Sequence, residues 1–188
     1  MATWEGRLLV ATPALDGPPS ARGFFSRTVI QLLQHTAADG ALGLVVNRPL
    51  EADLVAGLPD WVGPSVSAQV FSGGPVQPSA ALCLGQLAVG ARPNDSWSSV
   101  AEAPWLAVLD LAGDLPEDIA RVRVFVGYAG WSPGQLEAEV DEGSWWVLDA
   151  LPGDCFSSEP EALWSQVLRR QGMPLALAAS YPADPTLN

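Results

Sequence analysis

Prolines and glycines interrupt this sequence so often that they limit the length of any regular element. The chain carries 17 prolines and 18 glycines in 188 residues, scattered without an internal repeat. Because proline lacks a backbone donor and glycine favours turns, this punctuation predicts many short elements rather than a few long ones. The strand and helix signals follow no regular alternation, which indicates an α+β fold. The length suits a single compact domain over residues 1–188.

The composition is that of a folded protein with a dense interior. Hydrophobic residues make up 48% of the chain and charged residues 16%, which is the reverse of a disordered segment. Eight tryptophans supply large apolar surfaces, and these predict a dense core. An exposed aromatic binding face is the alternative.

The net charge of −12 decides which partners are compatible with this chain. Such a charge repels DNA phosphates and anionic membranes, so it disfavours both nucleic acid and membrane partners. The first residues lack the basic and apolar regions of a signal peptide, and no apolar run is long enough to span a bilayer. We therefore expect a cytoplasmic protein.

Apolar runs bounded by turn residues predict most of the strands. Strands are expected at residues 7–11, 28–35, 41–46, 70–72, 81–87, 105–111, 122–128 and 144–150. The turn signal at 36–40 predicts a hairpin between the second and third of these strands. Residues 28–35 would also suit a short helix, but a short turn between two apolar runs favours the hairpin.

The middle of the chain is less clearly marked. Short helices are expected at 50–57 and 116–120, and residues 90–104 form the longest predicted loop. The strand at 81–87 is expected to pair beside the one at 70–72, and residues 105–111 would also suit the start of a helix.

The run Gly127–Glu137 places a strand end, a turn and a helix start within eleven residues. Ser132 offers an N-cap, Pro133 suits the first helical position, and Gln135 completes a capping box. The helix is expected to continue through Glu142. The run therefore predicts a strand-to-helix corner rather than a phosphate loop or an aromatic platform.

Two features of this corner bear on function. Trp131 is expected to face the core, and a position in a cleft is the alternative. The acidic side chains of the helix are spaced so that they spread around it, which predicts a solvated face and no metal site. These side chains are Glu137, Glu139, Asp141 and Glu142.

A second capping box, at Ser158–Glu161, opens another predicted helix that runs through Gln171. Its apolar side chains recur at helical spacing, so one face of this helix is expected to be buried. That face comprises Leu163, Trp164, Val167 and Leu168.

Two polar or glycine-rich strand ends are candidate ligand sites. Gly73 and Gly74 follow a strand, and their backbone N–H groups could cradle an anion, although a tight turn needs the same glycines. Asn47 and Arg48 also follow a buried strand, where Arg48 could grip a carboxylate or phosphate. A structural hydrogen-bond network that closes the loop is the alternative for this pair.

The remaining chemical inventory is small. His35 is the one histidine and could act as an acid or base, or serve as a hydrogen-bonded structural residue. Two cysteines, Cys83 and Cys155, stand far apart and are predicted to be buried and reduced. A structural zinc site takes four Cys or His ligands, and no phosphate-binding or dinucleotide motif is present. We therefore expect neither a metal nor a cofactor.

Several of these segments, in order and over nearly the whole chain, resemble the AlgH/YqgE family of bacterial proteins. The matching segments are 6–13, 27–35, 40–49, 70–76, 127–137 and 181–188. The loop at 16–23 is longer than the family pattern, and residues 88–104 are hard to align with it. The resemblance implies a coiled, branched, partly barrel-like mixed β-sheet surrounded by helices, and it implies no established reaction.

Members of that family are often described as transcriptional regulators. The sequence gives this description little physical support, because it shows no clear helix-turn-helix pattern and its charge opposes DNA. If DNA binds at all, an arginine cluster of Arg22, Arg27 and Arg48 is the expected contact.

Three functional hypotheses follow. The favoured one is a non-enzymatic binding or regulatory module that acts through an unidentified protein or small-ligand partner, because turn motifs are frequent and no catalytic set is recognisable. The second is an enzyme whose site near His35, Asn47 and Arg48 is gathered in one cleft. The third is direct DNA binding. The candidate ligand-binding residues are Arg27, His35, Asn47, Arg48, Gly73, Gly74 and Trp131.

Overall fold

The computed structural model describes residues 3–15, 23–50, 70–91 and 97–181. Within these ranges the strands are β1 (Leu8–Ala11), β2 (Val29–Thr36), β3 (Gly40–Val45), β4 (Phe71–Ser72), β5 (Val76–Leu87), β6 (Trp97–Val100), β7 (Ala103–Leu109), β8 (Ile119–Trp131) and β9 (Trp145–Leu148). The helices are α1 (Gln135–Asp141), α2 (Leu163–Arg170) and α3 (Leu175–Ala178), with 3₁₀ turns at Pro13–Leu15, Asp154–Phe156 and Pro160–Ala162. The predicted helix at 50–57 lies almost wholly outside the described residues.

The described strands form one large sheet in the order β6-β7-β5-β8-β3-β2-β1-β9. All neighbours along this order are antiparallel, whereas β4 pairs in parallel with β8 outside it. Since β8 pairs with β3, β4 and β5, the sheet is mixed and branched, as expected. The sheet ends at β6 and β9 and is not closed into a barrel, so the barrel-like expectation is wrong. Among the described residues, the helices that accompany the sheet are few and short.

The predicted hairpin and the helix corner are both present. The β2 and β3 strands pair antiparallel across a tight turn at Gly40, with a bulge between Leu32 and Gln34. Helix α1 begins at Gln135 with Gly134 as its N-cap, so Ser132 is not the cap. One half of the capping box forms nonetheless, because the Ser132 N–H donates to Oε1 of Gln135 at 3.1 Å.

The expectation of uniformly short elements is wrong for β5 and β8, which contain 12 and 13 residues. The pairing of β5 with β8 jumps from Val76 to Ala81, so Pro78 lies in a bulge where the ladder requires no N–H donor. In β8, Gly127 and Gly130 lie within the strand and do not end it.

Other differences come from pairing between distant segments. Strand β5 pairs with β7 and β8 and not with β4, contrary to the expected pairing of 81–87 with 70–72. The predicted loop at 90–104 contains β6, which pairs with β7. The predicted helix at 116–120 is instead the turn that leads into β8 at Ile119.

Both faces of the sheet are covered, which explains why all four residues of β1 are buried. Leu8 and Val10 belong to the core on the α2 side, and Leu9 and Ala11 belong to the core on the α1 side. The alternation of side chains along a strand sends neighbours to opposite faces. Helix α2 buries the predicted apolar face, which includes Leu163, Trp164, Val167 and Leu168. No described helix is long and apolar enough to span a membrane.

Candidate functional site

His35 and Arg48 do not share a cleft. The Val29 N–H, at the start of β2, donates to Oδ1 of Asn47 at 2.8 Å, which fixes the Asn47–Arg48 pair at that end of the strand. His35 lies six residues further along β2, roughly 20 Å away at about 3.3 Å per strand residue. The structure therefore does not bring together the residues of the enzyme hypothesis.

Asn47, Arg48 and Arg27 are engaged with the backbone around the loop before β2. Nδ2 of Asn47 donates to the Arg27 carbonyl at 2.9 Å, and the Arg48 guanidinium donates to the Ser26 carbonyl. The Arg27 guanidinium lies 4.4 Å from the centroid of the Trp164 ring and donates to the Tyr181 carbonyl. These contacts close the loop and correspond to the structural alternative for the pair. Of the expected DNA-contacting cluster, Arg22 lies outside the described residues.

Gly73 and Gly74 lie where β4 passes very close to β8. The Gly73 N–H donates to the Val126 carbonyl at 2.8 Å, and the Gly73 carbonyl accepts from the Val45 N–H at 2.8 Å. A Cβ on Gly73 would lie 2.3 Å from the Gly127 carbonyl oxygen. Because its N–H is already bonded within the sheet, Gly73 cannot offer that N–H to an anion. Glycine is required here by the approach of two backbones.

His35 is buried and has a partner on each ring nitrogen. Nδ1 accepts from the Trp4 N–H at 2.9 Å, and Nε2 lies 3.2 Å from Oε1 of Glu137. Because Nδ1 is an acceptor, the proton belongs on Nε2, which donates to Glu137. The imidazole also stacks on the Trp4 ring at 4.9 Å. His35 therefore joins the N-terminal segment to α1.

A buried cluster that the sequence did not reveal lies around Arg123. Its guanidinium donates to the carbonyls of Cys155 and Ser157 at 2.9 Å each and lies 4.1 Å from the centroid of the Phe71 ring. Burial lowers the pKa of Arg123 to about 10. An arginine inside an apolar strand run was the available signal. The arrangement ties β8 to the turn at 155–157.

The two cysteines are free and buried, as predicted. Burial raises the pKa of the Cys83 thiol to about 12 and also raises the pKa of Cys155 above its usual range. Both therefore remain thiols at neutral pH, and a thiol is a poor nucleophile. Within the ranges the structure describes, no group of three or more His, Cys, Asp or Glu side chains could hold a metal ion.

A concave surface surrounds Trp131 and is called the Trp131 groove below. It consists of two adjoining lobes that share Val76, Gly130, Trp131 and Gln135. The first lobe encloses about 450 Å³ and is also lined by Gln34, Asp39, Gly40, Ala41, Leu42, Tyr128, Ser132 and Pro133. The second encloses about 350 Å³ and is also lined by Leu15, Phe25, Pro75, Glu139, Ser144 and Trp145.

The groove exists because β8 continues past the strand that covers its edge. The last pair between β5 and β8 joins Val76 to Tyr128. Beyond it, residues 129–131 of β8 pair with β3, and no described strand covers their other edge. Trp131 is thus buried against the core, as expected, while it also lines the groove.

Glu139 is not part of a solvated face, which corrects the expectation for the α1 acids. Its Oε2 accepts from the indole N–H groups of Trp131 at 2.9 Å and Trp145 at 2.8 Å. Its Oε1 accepts from Nε2 of Gln135 at 2.9 Å. Glu137 is likewise half-buried and is paired with His35. The residue that organises the groove was therefore missed, because its partners lie on two different strands.

Comparison with known proteins gives consistent results. The AlgH-like family model matches residues 8–176. A UPF0301 protein of Thermobifida fusca is 43% identical over 195 residues, covering 97% of this chain and 94% of the relative. A UPF0301 protein of Streptomyces coelicolor is 45% identical over 196 residues, covering 100% of this chain and 97% of the relative.

Two solved structures share the fold. A crystal structure of a protein from Corynebacterium diphtheriae superposes with a TM-score of 0.80 at 29% identity, covering 94% of this chain and 92% of that one. The solution structure of the AlgH protein from Pseudomonas aeruginosa gives a TM-score of 0.67 at 28% identity, covering 96% of this chain and 95% of that one.

Proposed function

The chain belongs to the AlgH-like family, and we propose that it acts as a non-enzymatic binding module whose partner occupies the Trp131 groove. The partner is a protein segment or a small ligand. A regulatory role would be exerted through this partner.

The observation that carries the proposal is the organised wall of the groove. The Glu139 carboxylate is fixed by two indole N–H groups and an amide, so its position is set before any ligand arrives. Fixed polar groups among aromatic and apolar side chains are typical of ligand sites, because no ordering cost remains to be met on binding.

The chemistry of the groove favours binding over catalysis. Ser132, Ser144 and Tyr128 are its hydroxyl groups, and a hydroxyl nucleophile needs a neighbouring base. His35 would be the natural base, but both of its ring nitrogens are engaged by Trp4 and Glu137. Nucleic acid is the least compatible partner, since the groove carries Asp39 and Glu139 and the chain carries a net charge of −12.

A pair of glycine substitutions tests the proposal. Gly130 lines both lobes, and a Cβ there would touch only the Tyr128 ring, at 3.3 Å, so Gly130→Leu should fill the groove without disrupting the sheet. Gly153→Leu is the matched control, because Gly153 lines neither lobe, has a φ of −84° and faces open space.

The three proteins are compared by affinity capture from native bacterial extract and by thermal shift with small-molecule and peptide libraries. We expect a stoichiometric partner, or a ligand that raises the Tm, with the wild type and Gly153→Leu but not with Gly130→Leu. The proposal fails if none is found, or if Gly130→Leu retains the same binding.

A further inference from the structure

We propose that the second lobe of the Trp131 groove binds an organic cation, an alkylammonium or a guanidinium group on an apolar stem. This inference rests on the proposed function, because it names the chemistry of the ligand that the same groove takes. The cation can belong to a free small molecule or to a Lys or Arg side chain of a protein partner.

Glu139 supplies the negative charge of the second lobe. Its three hydrogen-bond donors, the indoles of Trp131 and Trp145 and the Gln135 amide, are all neutral. Both carboxylate oxygens accept hydrogen bonds, which is the pattern of an ionised carboxylate, and neutral donors orient its charge without cancelling it. Within the described ranges, the ion pairs between arginines and carboxylates involve other residues, Arg7 with Asp149 and Arg170 with Asp154. Among the residues that the structure describes, no cation therefore cancels the negative charge of Glu139 in this partly enclosed site.

Three aromatic rings form a wall of the second lobe. Phe25 lies 6.5 Å from Trp131 and 5.5 Å from Trp145 between ring centroids, and the two indoles meet edge to face at 6.2 Å. All three rings line the same lobe as the carboxylate. Aromatic rings attract cations electrostatically, and the neighbouring carboxylate adds a direct charge attraction for an ammonium or guanidinium group.

The remainder of the second lobe is lined in part by apolar side chains. Leu15, Pro75 and Val76 add apolar surface, which matches the methylene stem of an alkylamine or alkylguanidine. The lobe encloses about 350 Å³, which is ample for such a group. A small inorganic cation would leave this apolar surface without a partner.

The surroundings of the second lobe are also acidic. Asp39 supplies a second carboxylate in the adjoining lobe, and no arginine among the described residues lines either lobe. The chain has no lysine, so any ammonium side chain must come from another molecule. A net charge of −12 raises the local concentration of cations around the groove and repels anionic ligands.

The test uses the indole ¹H–¹⁵N resonances of the ¹⁵N-labelled full chain, assigned by single Trp→Phe substitutions. The probes are n-butylammonium and n-butylguanidinium, with n-butanol as the neutral control. Two blocked tripeptides, acetyl-Gly-Lys-Gly-amide and acetyl-Gly-Arg-Gly-amide, represent a partner's side chain. The variants are Glu139→Gln, Gly130→Leu and the control Glu137→Gln, which lies on the same helix but is paired with His35.

Saturable shifts of the Trp131 and Trp145 resonances are expected with the cations and not with n-butanol. Glu139→Gln should weaken binding by about tenfold or more, whereas Glu137→Gln should change it less than about twofold. Gly130→Leu should also weaken binding, and it keeps the test valid if Glu139→Gln proves unfolded. Tripeptides that bind as tightly as the free cations would identify a partner's side chain as the source, and weaker tripeptides would identify a small molecule.

The inference is overturned if the cations cause no shift, if n-butanol binds equally, or if the folded Glu139→Gln variant binds as tightly as the wild type. Its failure is distinguishable from that of the proposed function. If a partner binds the wild type but not Gly130→Leu, and the cations cause no resonance shift, then the cation ligand is refuted while the binding function is supported.

Discussion

The close approach of Gly73, just after β4, to Gly127 in β8 predicts how three glycine-to-alanine substitutions will differ in their effect on stability. Gly73→Ala adds a methyl group where a backbone oxygen blocks it, 2.3 Å away on Gly127, without requiring an unusual φ. Gly127→Ala meets the same kind of obstacle, the Gly74 carbonyl oxygen at 2.4 Å, and also has a φ of 68°. Gly143→Ala has a φ of 81° but open space around it.

The expected losses in the free energy of unfolding have two sources, the left-handed backbone conformation and the steric clash of the added methyl group. A left-handed conformation costs an L-residue roughly 1–2 kcal/mol, and reduced freedom of the unfolded chain offsets about 0.4–1 kcal/mol of this, which leaves about 1 kcal/mol for Gly143→Ala. Overpacking against rigid backbone costs about 3 kcal/mol for Gly73→Ala. The two effects together give about 4 kcal/mol for Gly127→Ala.

Urea unfolding followed by tryptophan fluorescence measures these free energies, and thermal unfolding gives a second reading. At about 2–4 °C per kcal/mol for a chain of this size, Gly73→Ala should lower the Tm by roughly 6–12 °C and Gly143→Ala by roughly 2–4 °C. If Gly73→Ala is as mild as Gly143→Ala, the close approach of the two strands is wrong. A Tm that rises with added phosphate in the wild type but not in Gly73→Ala would restore the anion site expected from the glycine pair.

Two further outcomes are expected. Asn47→Ala should lower the free energy of unfolding in urea by about 2–3 kcal/mol, because it leaves the buried Val29 N–H without its acceptor. Thr36→Ala removes an exposed hydroxyl and should lower this free energy by less than about 1 kcal/mol. Equal losses would contradict the assigned role of Asn47. The free energy of unfolding should fall as the pH rises above about 9, because the unfolded chain releases the Cys83 proton near its ordinary pKa of 9.0 while the folded chain retains it until about 12. Cys83→Ala should show a smaller fall over the same range, and an identical fall would contradict the burial effect.

The sequence predicted the elements that depend on local patterns. The β2–β3 hairpin was readable because an apolar run, a turn and a second apolar run are contiguous. The end of α1 was readable because Gly143 supplies the left-handed residue that follows a helix. The apolar face of α2 was readable from the spacing of Leu163, Trp164, Val167 and Leu168.

The candidate residues were less well predicted, because their roles depend on partners far away in the chain. Asn47 and Arg48 do make specific polar contacts at the strand end, as the sequence indicated, but these contacts hold the loop before β2. The signal at Gly73 was also genuine, but its cause is a second strand more than fifty residues away rather than a ligand. Polar residues and glycines at strand ends look alike in sequence whether they serve structure or binding.

By itself the sequence determined the class of fold, most of the strand segments, the strand-to-helix corner within Gly127–Glu137 and the membership of a family, since all of these are recorded in local order and spacing. Only the tertiary structure decided that β5 ends its pairing at Tyr128 and leaves an open edge on β8. Only the structure also decided that Glu139 meets indoles from β8 and β9 at that edge. Hydrogen bonds across strands and contacts between a helix and two strands are set by packing, which no local pattern of residues encodes.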